Sequence, residues 1–231
     1  FDKIKTMKQV VGLFPRTRQE IENIVNKAIE RSLVDLNKIY EISGEDRNFE
    51  NTAKILDLAL GRFNINLRIL YVLTYVSPDK QIRDSAQQGV IKLQNFLIDN
   101  YSQNKKIYNA LLEVQKNCVD QLNECERYFL NETIKELKKG GLEKEESIRN
   151  QIKDLQKELS MLELQFLQNI SQDNRQIKVK PNELTGIDQD FINQLSKTEE
   201  GLVILGIDYP TVFKILQECS NCEVRKVLWK E

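Results

Sequence analysis

Apolar residues recur along most of this chain at steps of three and four, the spacing of a helix face. Thr17 to Glu20 reads "TRQE", a capping box: a hydroxyl for an orphan N–H, and a glutamate reaching back three residues later. Behind it Ile21, Ile24, Val25, Ala28, Ile29, Leu33, Leu36, Ile39 and Tyr40 form one stripe, which Gly44 stops. A second helix is predicted from about Phe49 through Leu56, Leu60, Phe63, Leu67 and Leu70. Ser77 and Pro78 end it and open a third, with Ser77 as N-cap and Pro78 at the first helical position. The third carries Ile82, Ala86, Val90, Leu93, Phe96 and Leu97. A fourth is predicted from about Asn104 to Lys139, with Ile107, Leu111, Val114, Cys118, Leu122, Cys125, Phe129 and Leu137 on its apolar side. The glycine pair Gly140 and Gly141 breaks it.

The fifth helix is the most regular. Ile148, Ile152, Leu155, Leu159, Leu162 and Phe166 alternate steps of four and three, a heptad seam sustained from about Glu143 to Asn174. Such a helix spans roughly 45 Å. It is expected to close as an antiparallel hairpin with the fourth helix at the double glycine; the alternative is an intermolecular coiled coil. The aromatics Phe63, Tyr71, Tyr75, Phe96, Phe129 and Phe166 fall on helical spacing and are expected in the core rather than as stacking platforms for bases.

After Asp173 the pattern changes. "RQIKVK" alternates polar and apolar residues and predicts a short strand ended by Pro181. "NELTGI" reads as a turn, "DQDFINQLSK" as a short helix and "GLVILGI" as a second short strand. "DYPTVFKILQEC" is a helix with Pro210 near its start, and "SNC" separates it from a last helix, "EVRKVLWKE". The predicted fold is mainly α: an array of long antiparallel amphipathic helices over residues 1–175, then a small two-strand element among short helices over residues 176–231.

Composition narrows the function classes. The 231 residues hold 34 basic and 35 acidic side chains, well mixed, so no electrostatic footprint for nucleic acid or an anionic membrane is present. The run Gly201 to Ile207 is far too short to span a bilayer. The first residues carry no signal-peptide pattern. Phe1 is not a natural start, so a preceding segment, with any targeting information, is expected. Cys118, Cys125, Cys219 and Cys222 do not make a dense disulfide framework, which suits a reducing, cytoplasm-like compartment. The chain has no histidine, which excludes from it an imidazole base, a Ser-His-Asp triad and a His-Glu-x-x-His zinc site.

The candidate sites are few. Cys219 and Cys222 have the spacing of a metal or redox pair. A structural zinc site needs four ligands, and Cys118 and Cys125 lie seven residues apart on another helix. A redox pair expects a strand before it and a helix starting at the motif; here the pair follows a helix, so two small residues at a turn is the better account. Glu145 with Glu146, and Glu199 with Glu200, stand in charge-rich surroundings and read as surface charge rather than as catalytic carboxylates. Neither a G-x-G-x-x-G nor a G-x-x-x-x-G-K-[ST] pattern occurs.

Several stretches taken together resemble one family. "RNFENTAKILDLAL" (Arg47 to Leu60) is similar to a Phe-Glu-Asn-Thr helix opening. "ERYFLNETIKELKKGGL" (Glu126 to Leu142) resembles a helix ending in a basic segment and glycine. "IRNQIKDLQKELSMLELQFLQNISQDN" (Ile148 to Asn174) resembles the long helix that follows. "NELTGIDQDFI" (Asn182 to Ile192) is similar to a Leu-x-Gly-hydrophobic turn. "DYPTVFKILQECSNCEVRKVLWKE" (Asp208 to Glu231) resembles a Tyr-Pro helix followed by Glu-x-Arg. In this order they resemble the zinc metallopeptidases of the thimet oligopeptidase, neurolysin and oligopeptidase A family.

The resemblance implies a two-lobed enzyme around a deep, narrow channel. It implies that this chain is the N-terminal, non-catalytic lobe, a layered array of long helices. The zinc site, with its two histidines, carboxylate ligand and general-base glutamate, would lie in a later lobe. No catalytic, cofactor or metal residue is then expected in this chain, which alone would be inactive and bind no zinc. The expected parent is a monomeric, cytoplasmic hydrolase of short peptides, or organellar if a targeting segment precedes Phe1. The alternative is a helical scaffold or adaptor binding a partner through the face of Ile148 to Phe166.

Overall fold

The computed structural model describes residues 6–231, which form ten α-helices and two β-strands. The fold is mainly α with a small antiparallel sheet, as the periodicity predicts. The helices are α1 (Met7–Val11), α2 (Arg18–Tyr40), α3 (Lys54–Val76), α4 (Lys80–Leu97), α5 (Lys105–Cys118), α6 (Glu124–Lys139) and α7 (Glu146–Ser171). Then come β1 (Gln176–Val179), α8 (Gln189–Gln194), β2 (Val203–Gly206), α9 (Tyr209–Glu218) and α10 (Cys222–Lys230). The chain packs as two compact units, one ending at Gln165 and one spanning Phe166–Glu231.

In the first unit α2, α3 and α4 pack on one another around Ile21, Val25, Phe63, Leu70, Val90 and Leu93. Phe63 and Phe96 stack with ring centroids 5.3 Å apart. Gly89 lets α4 close on its neighbours, since a Cβ there would stand 2.8 Å from Leu70 Cδ1 and 3.0 Å from Val25 Cγ2. A second cluster gathers Leu36, Ile39, Leu56, Ile107, Leu111, Val114 and Leu130. Phe49 meets the edge of Phe129 there, at 6.1 Å.

Several local expectations are corrected. Thr17 accepts from the Glu20 N–H at 3.2 Å, but the Glu20 carboxylate reaches back to the N–H of Arg16, not Thr17. The N-cap of α4 is Asp79, whose carboxylate accepts from the Gln81 N–H at 2.7 Å; Ser77 instead closes α3 by donating its N–H to Leu73. The predicted fourth helix is two. Its break lies at Val119–Gln121, and Asn123 restarts the chain with a capping box to Glu126. Local side-chain hydrogen bonding there overrides an unbroken apolar period. Cys118 is buried on α5, whereas Cys125 on α6 is exposed.

The largest correction concerns α7. The helical hairpin is α5 with α6, bridged by Gln115 donating to Asn131 at 2.8 Å, and α7 makes no extended contact with α6. The side of α7 facing the first unit is mostly polar. Gln156 accepts from Gln103 at 3.2 Å, and Lys153 and Lys157 reach Asp99 at 3.2 and 2.8 Å. Leu164 enters the cluster of α2, α3 and α4. The predicted seam residues Ile148, Leu155, Leu159, Leu162 and Phe166 are exposed, so packing within the chain does not account for them. Tyr75 is also exposed rather than in the core.

In the second unit β1 and β2 pair antiparallel in the register Gln176↔Gly206. Ile177, Val179, Val203 and Leu205 share a buried side, packed with Ile215, Val224 and Leu228 of α9 and α10. Pro210 stands in the first turn of α9, where its missing N–H costs nothing.

Candidate functional site

The Cys219–Cys222 turn shows how the C-terminal helices are held. Asp208 caps α9 by accepting from the Thr211 N–H at 3.0 Å, and Asn221 caps α10 by accepting from the Glu223 N–H at 3.1 Å. Cys219 is buried, and its thiol lies 3.7 Å from the Glu183 carbonyl. Cys222 is exposed at the first position of α10. Both thiols are free.

The Leu184–Ile187 turn docks directly on this corner. The Ser220 N–H donates to the Thr185 carbonyl at 2.7 Å. Gly186 has φ +93°, and a Cβ on it would stand 2.4 Å from the Glu218 carbonyl oxygen. Only glycine satisfies both the backbone angle and that approach. Arg225 donates to the Cys219 carbonyl and closes the exposed end of α9. Lys214 pairs with Asp188 at 2.8 Å and Glu218 at 2.9 Å. The two stretches noted in the sequence, the Leu-x-Gly turn and the Tyr-Pro helix with Glu-x-Arg, are therefore the two halves of one structural corner.

Zinc, which the resemblance implies, does not suit these residues. The chain has no histidine, and among the described residues no three of Cys, Asp and Glu come together as a metal-binding group. Cys219 is turned inward to a backbone carbonyl while Cys222 faces solvent. Glu145, Glu146, Glu199 and Glu200 are all exposed.

A buried polar cluster between α2 and α3 escaped the sequence reading. Asp35 pairs with Arg62 at 2.6 Å and Lys38 at 3.1 Å. One turn back, Ser32 and the Tyr101 hydroxyl lie 2.5 Å apart. The signal was a carboxylate on an apolar face, since Ala28, Ser32, Asp35 and Ile39 share one side of α2. Burial pushes the Asp35 carboxyl up, but hydrogen bonds from Lys38 and Arg62 outweigh it and hold the group below its ordinary value. A cavity of about 350 Å³ beside it is lined by Arg31, Ser32, Asp35, Arg62 and Asn66 among others. A larger groove, about 660 Å³, runs between α2 and α4 past Glu22, Asn26, Asp84 and Lys92. In the smaller cavity Ser32 is paired with the Tyr101 hydroxyl and Asp35 with Arg62 and Lys38, so hydroxyl and carboxylate each bond elsewhere rather than to one another. No helix among the described residues is long and apolar enough to cross a membrane.

No protein-family model matches the chain. Individual proteins do. The chain is 25% identical over 229 residues to "Thimet-like oligopeptidase" of Dictyostelium discoideum, covering 96% of this chain and 34% of that protein. It is 25% identical over 166 residues to "Saccharolysin" of Saccharomyces cerevisiae, covering 68% of this chain and 23% of the relative. It is 19% identical over 210 residues to "Probable thimet oligopeptidase" of Arabidopsis thaliana, covering 91% and 29%. The resemblance drawn from the ordered stretches is thus borne out: the chain is similar along nearly its whole length to two proteins named as thimet-type oligopeptidases and over two thirds of it to saccharolysin, and spans about a third or less of the length of each.

Proposed function

We propose that this chain is the N-terminal, non-catalytic lobe of a zinc metallo-oligopeptidase that hydrolyses short peptides. The observation carrying this reading is the 229-residue similarity to a thimet-like oligopeptidase, which covers 96% of the chain but 34% of the relative. The absence of histidine from the sequence agrees with it, because His-Glu-x-x-His chemistry then belongs to other residues of the parent. Zinc bound there would polarise the scissile carbonyl and lower the pKa of its water.

This chain's contribution is steric. Zinc hydrolysis by itself would act on any extended peptide, so selection must come from access. Helices of 23 and 26 residues, such as α2 and α7, are long enough to wall a channel. The clusters that α2 buries with its neighbours and the Thr17 cap at its start favour a wall that keeps its shape. A narrow, stiff channel admits short unfolded peptides and excludes folded proteins. The parent is proposed to act as a monomer in the cytoplasm, on peptides rather than on nucleic acid or membranes.

The test begins with the open reading frame encoding this chain, which should continue into a His-Glu-x-x-His helix. The whole purified protein should then hold stoichiometric zinc and cleave short peptides but not folded proteins. The 231-residue chain alone should do neither. A reading frame without the zinc motif, or peptide hydrolysis by the chain alone, would overturn the proposal.

A further inference from the structure

The outward stripe of α7 is the least explained surface of the chain. Ile148, Leu155, Leu159 and Leu162 are 42%, 64%, 56% and 54% exposed. Helix rotation cannot hide them. Leu164, which is buried, lies about 180° around the helix from Leu155 at 3.6 residues per turn. Lys153, Gln156 and Lys157 tie the same inner side to Asp99 and Gln103. The helix is therefore fixed with its apolar seam facing away from the first unit. From Ile148 to Leu162 it offers about four turns, roughly 21 Å, with exposed positions at heptad steps of seven, four and three that accept a second helix, while Ile152 between them is half-buried beside Gly141.

The rim of the stripe has one sign of charge over its central turns. Asp154 and Glu158 border one edge and Glu163 the other. None of these three carboxylates forms an ion pair among the described residues. The nearby cations Lys153 and Lys157 are held behind the helix on Asp99. Charges flanking such a seam set partner choice. A second copy would bring Glu158 and Glu163 against like charges, which argues against self-pairing.

We propose that this stripe is a docking surface for an amphipathic helix with an apolar seam flanked by lysine or arginine, supplied by polypeptide outside this chain. The inference goes beyond the peptidase reading, and rests on exposure and charge alone. The occupant's apolar side covers Leu155, Leu159 and Leu162, and its basic flanks meet Glu158 and Glu163.

The 231-residue chain can be titrated with two fluorescent synthetic helical peptides, identical in their Leu/Ile seam but flanked by lysine in one and glutamate in the other. The lysine peptide should bind at least tenfold more tightly, with the gap shrinking as salt rises. Leu155→Gln with Leu159→Gln should abolish binding while leaving the circular dichroism spectrum and melting midpoint of the chain unchanged, since both side chains are exposed. Glu158→Lys with Glu163→Lys should reverse the preference between the peptides. Equal binding of both peptides, or none, would overturn the proposal. So would concentration-dependent dimerisation in sedimentation that Leu159→Gln removes, because the occupant would then be a second copy.

Discussion

Among the described residues Asp35 is the only buried charged side chain, and its behaviour follows from its partners. Burial alone would raise its pKa; Lys38 and Arg62 reverse the sign. A lowered pKa in the folded state means that the unfolded chain takes up the proton first as pH falls. The carboxylate's stabilisation is therefore complete above the ordinary carboxylate pKa, about 4, and lost as pH drops through the lower folded value. Asp35→Asn keeps the shape but removes the charge that answers Arg62. It should lower stability at pH 7 by about 1–3 kcal/mol, the scale of a hydrogen bond to a charged group. Urea unfolding at pH 7 and near pH 3 checks this. The gap between wild type and variant should narrow in acid, and a gap independent of pH would assign the loss to packing instead.

Helix boundaries depend on short side-chain bonds more than on apolar period, and the chain between α5 and α6 shows it. The Asn123 side chain accepts from the Glu126 N–H at 3.0 Å, and the Glu126 carboxylate accepts from the Asn123 N–H at 3.1 Å. Asn123→Ala should cost about 1 kcal/mol. Amide exchange should rise in the first turn of α6 and remain unchanged in α5; a rise in both would mean the two helices behave as one. The sequence made the two strands, the Pro210 position and most of the helices, though not α1, legible, because each rests on local period or a residue with one conformational role. It did not make the α5–α6 break legible, since Leu122 and Cys125 keep the apolar spacing across it. Nor did it reveal where the α7 seam points. A heptad pattern says that a face wants a partner, whereas the direction of that face is set by Asp99 and Gln103 far away in sequence. At the candidate site, the Leu-x-Gly and Tyr-Pro stretches were visible as motifs, but their joining through Ser220 and Thr185 needed the fold.

At the scale of the whole molecule, the buried clusters of the first unit, joined through Phe96 and Leu97, and the cluster of the second give the chain two regions that can be perturbed one at a time. Two glycines make the test, each for a different reason. Gly186→Ala places a Cβ against the Glu218 carbonyl at a positive φ, so either the turn or the end of α9 must move. Strain of that kind costs about 1–3 kcal/mol. Gly89→Ala keeps an ordinary helical backbone but overfills the contact with Leu70 and Val25, which also costs about 1–3 kcal/mol. Hydrogen exchange followed by mass spectrometry should show Gly186→Ala loosening β1, β2, α9 and α10 while α2, α3 and α4 keep their protection. Gly89→Ala should do the converse. If either substitution loosened both regions equally, the units would unfold as one cooperative body, and the separate clusters would not correspond to separate stabilities. If each acts locally, the corner built on Gly186 and Arg225 serves to hold α9 against α10 within the second unit, and the helical layer of the first unit keeps its shape without it.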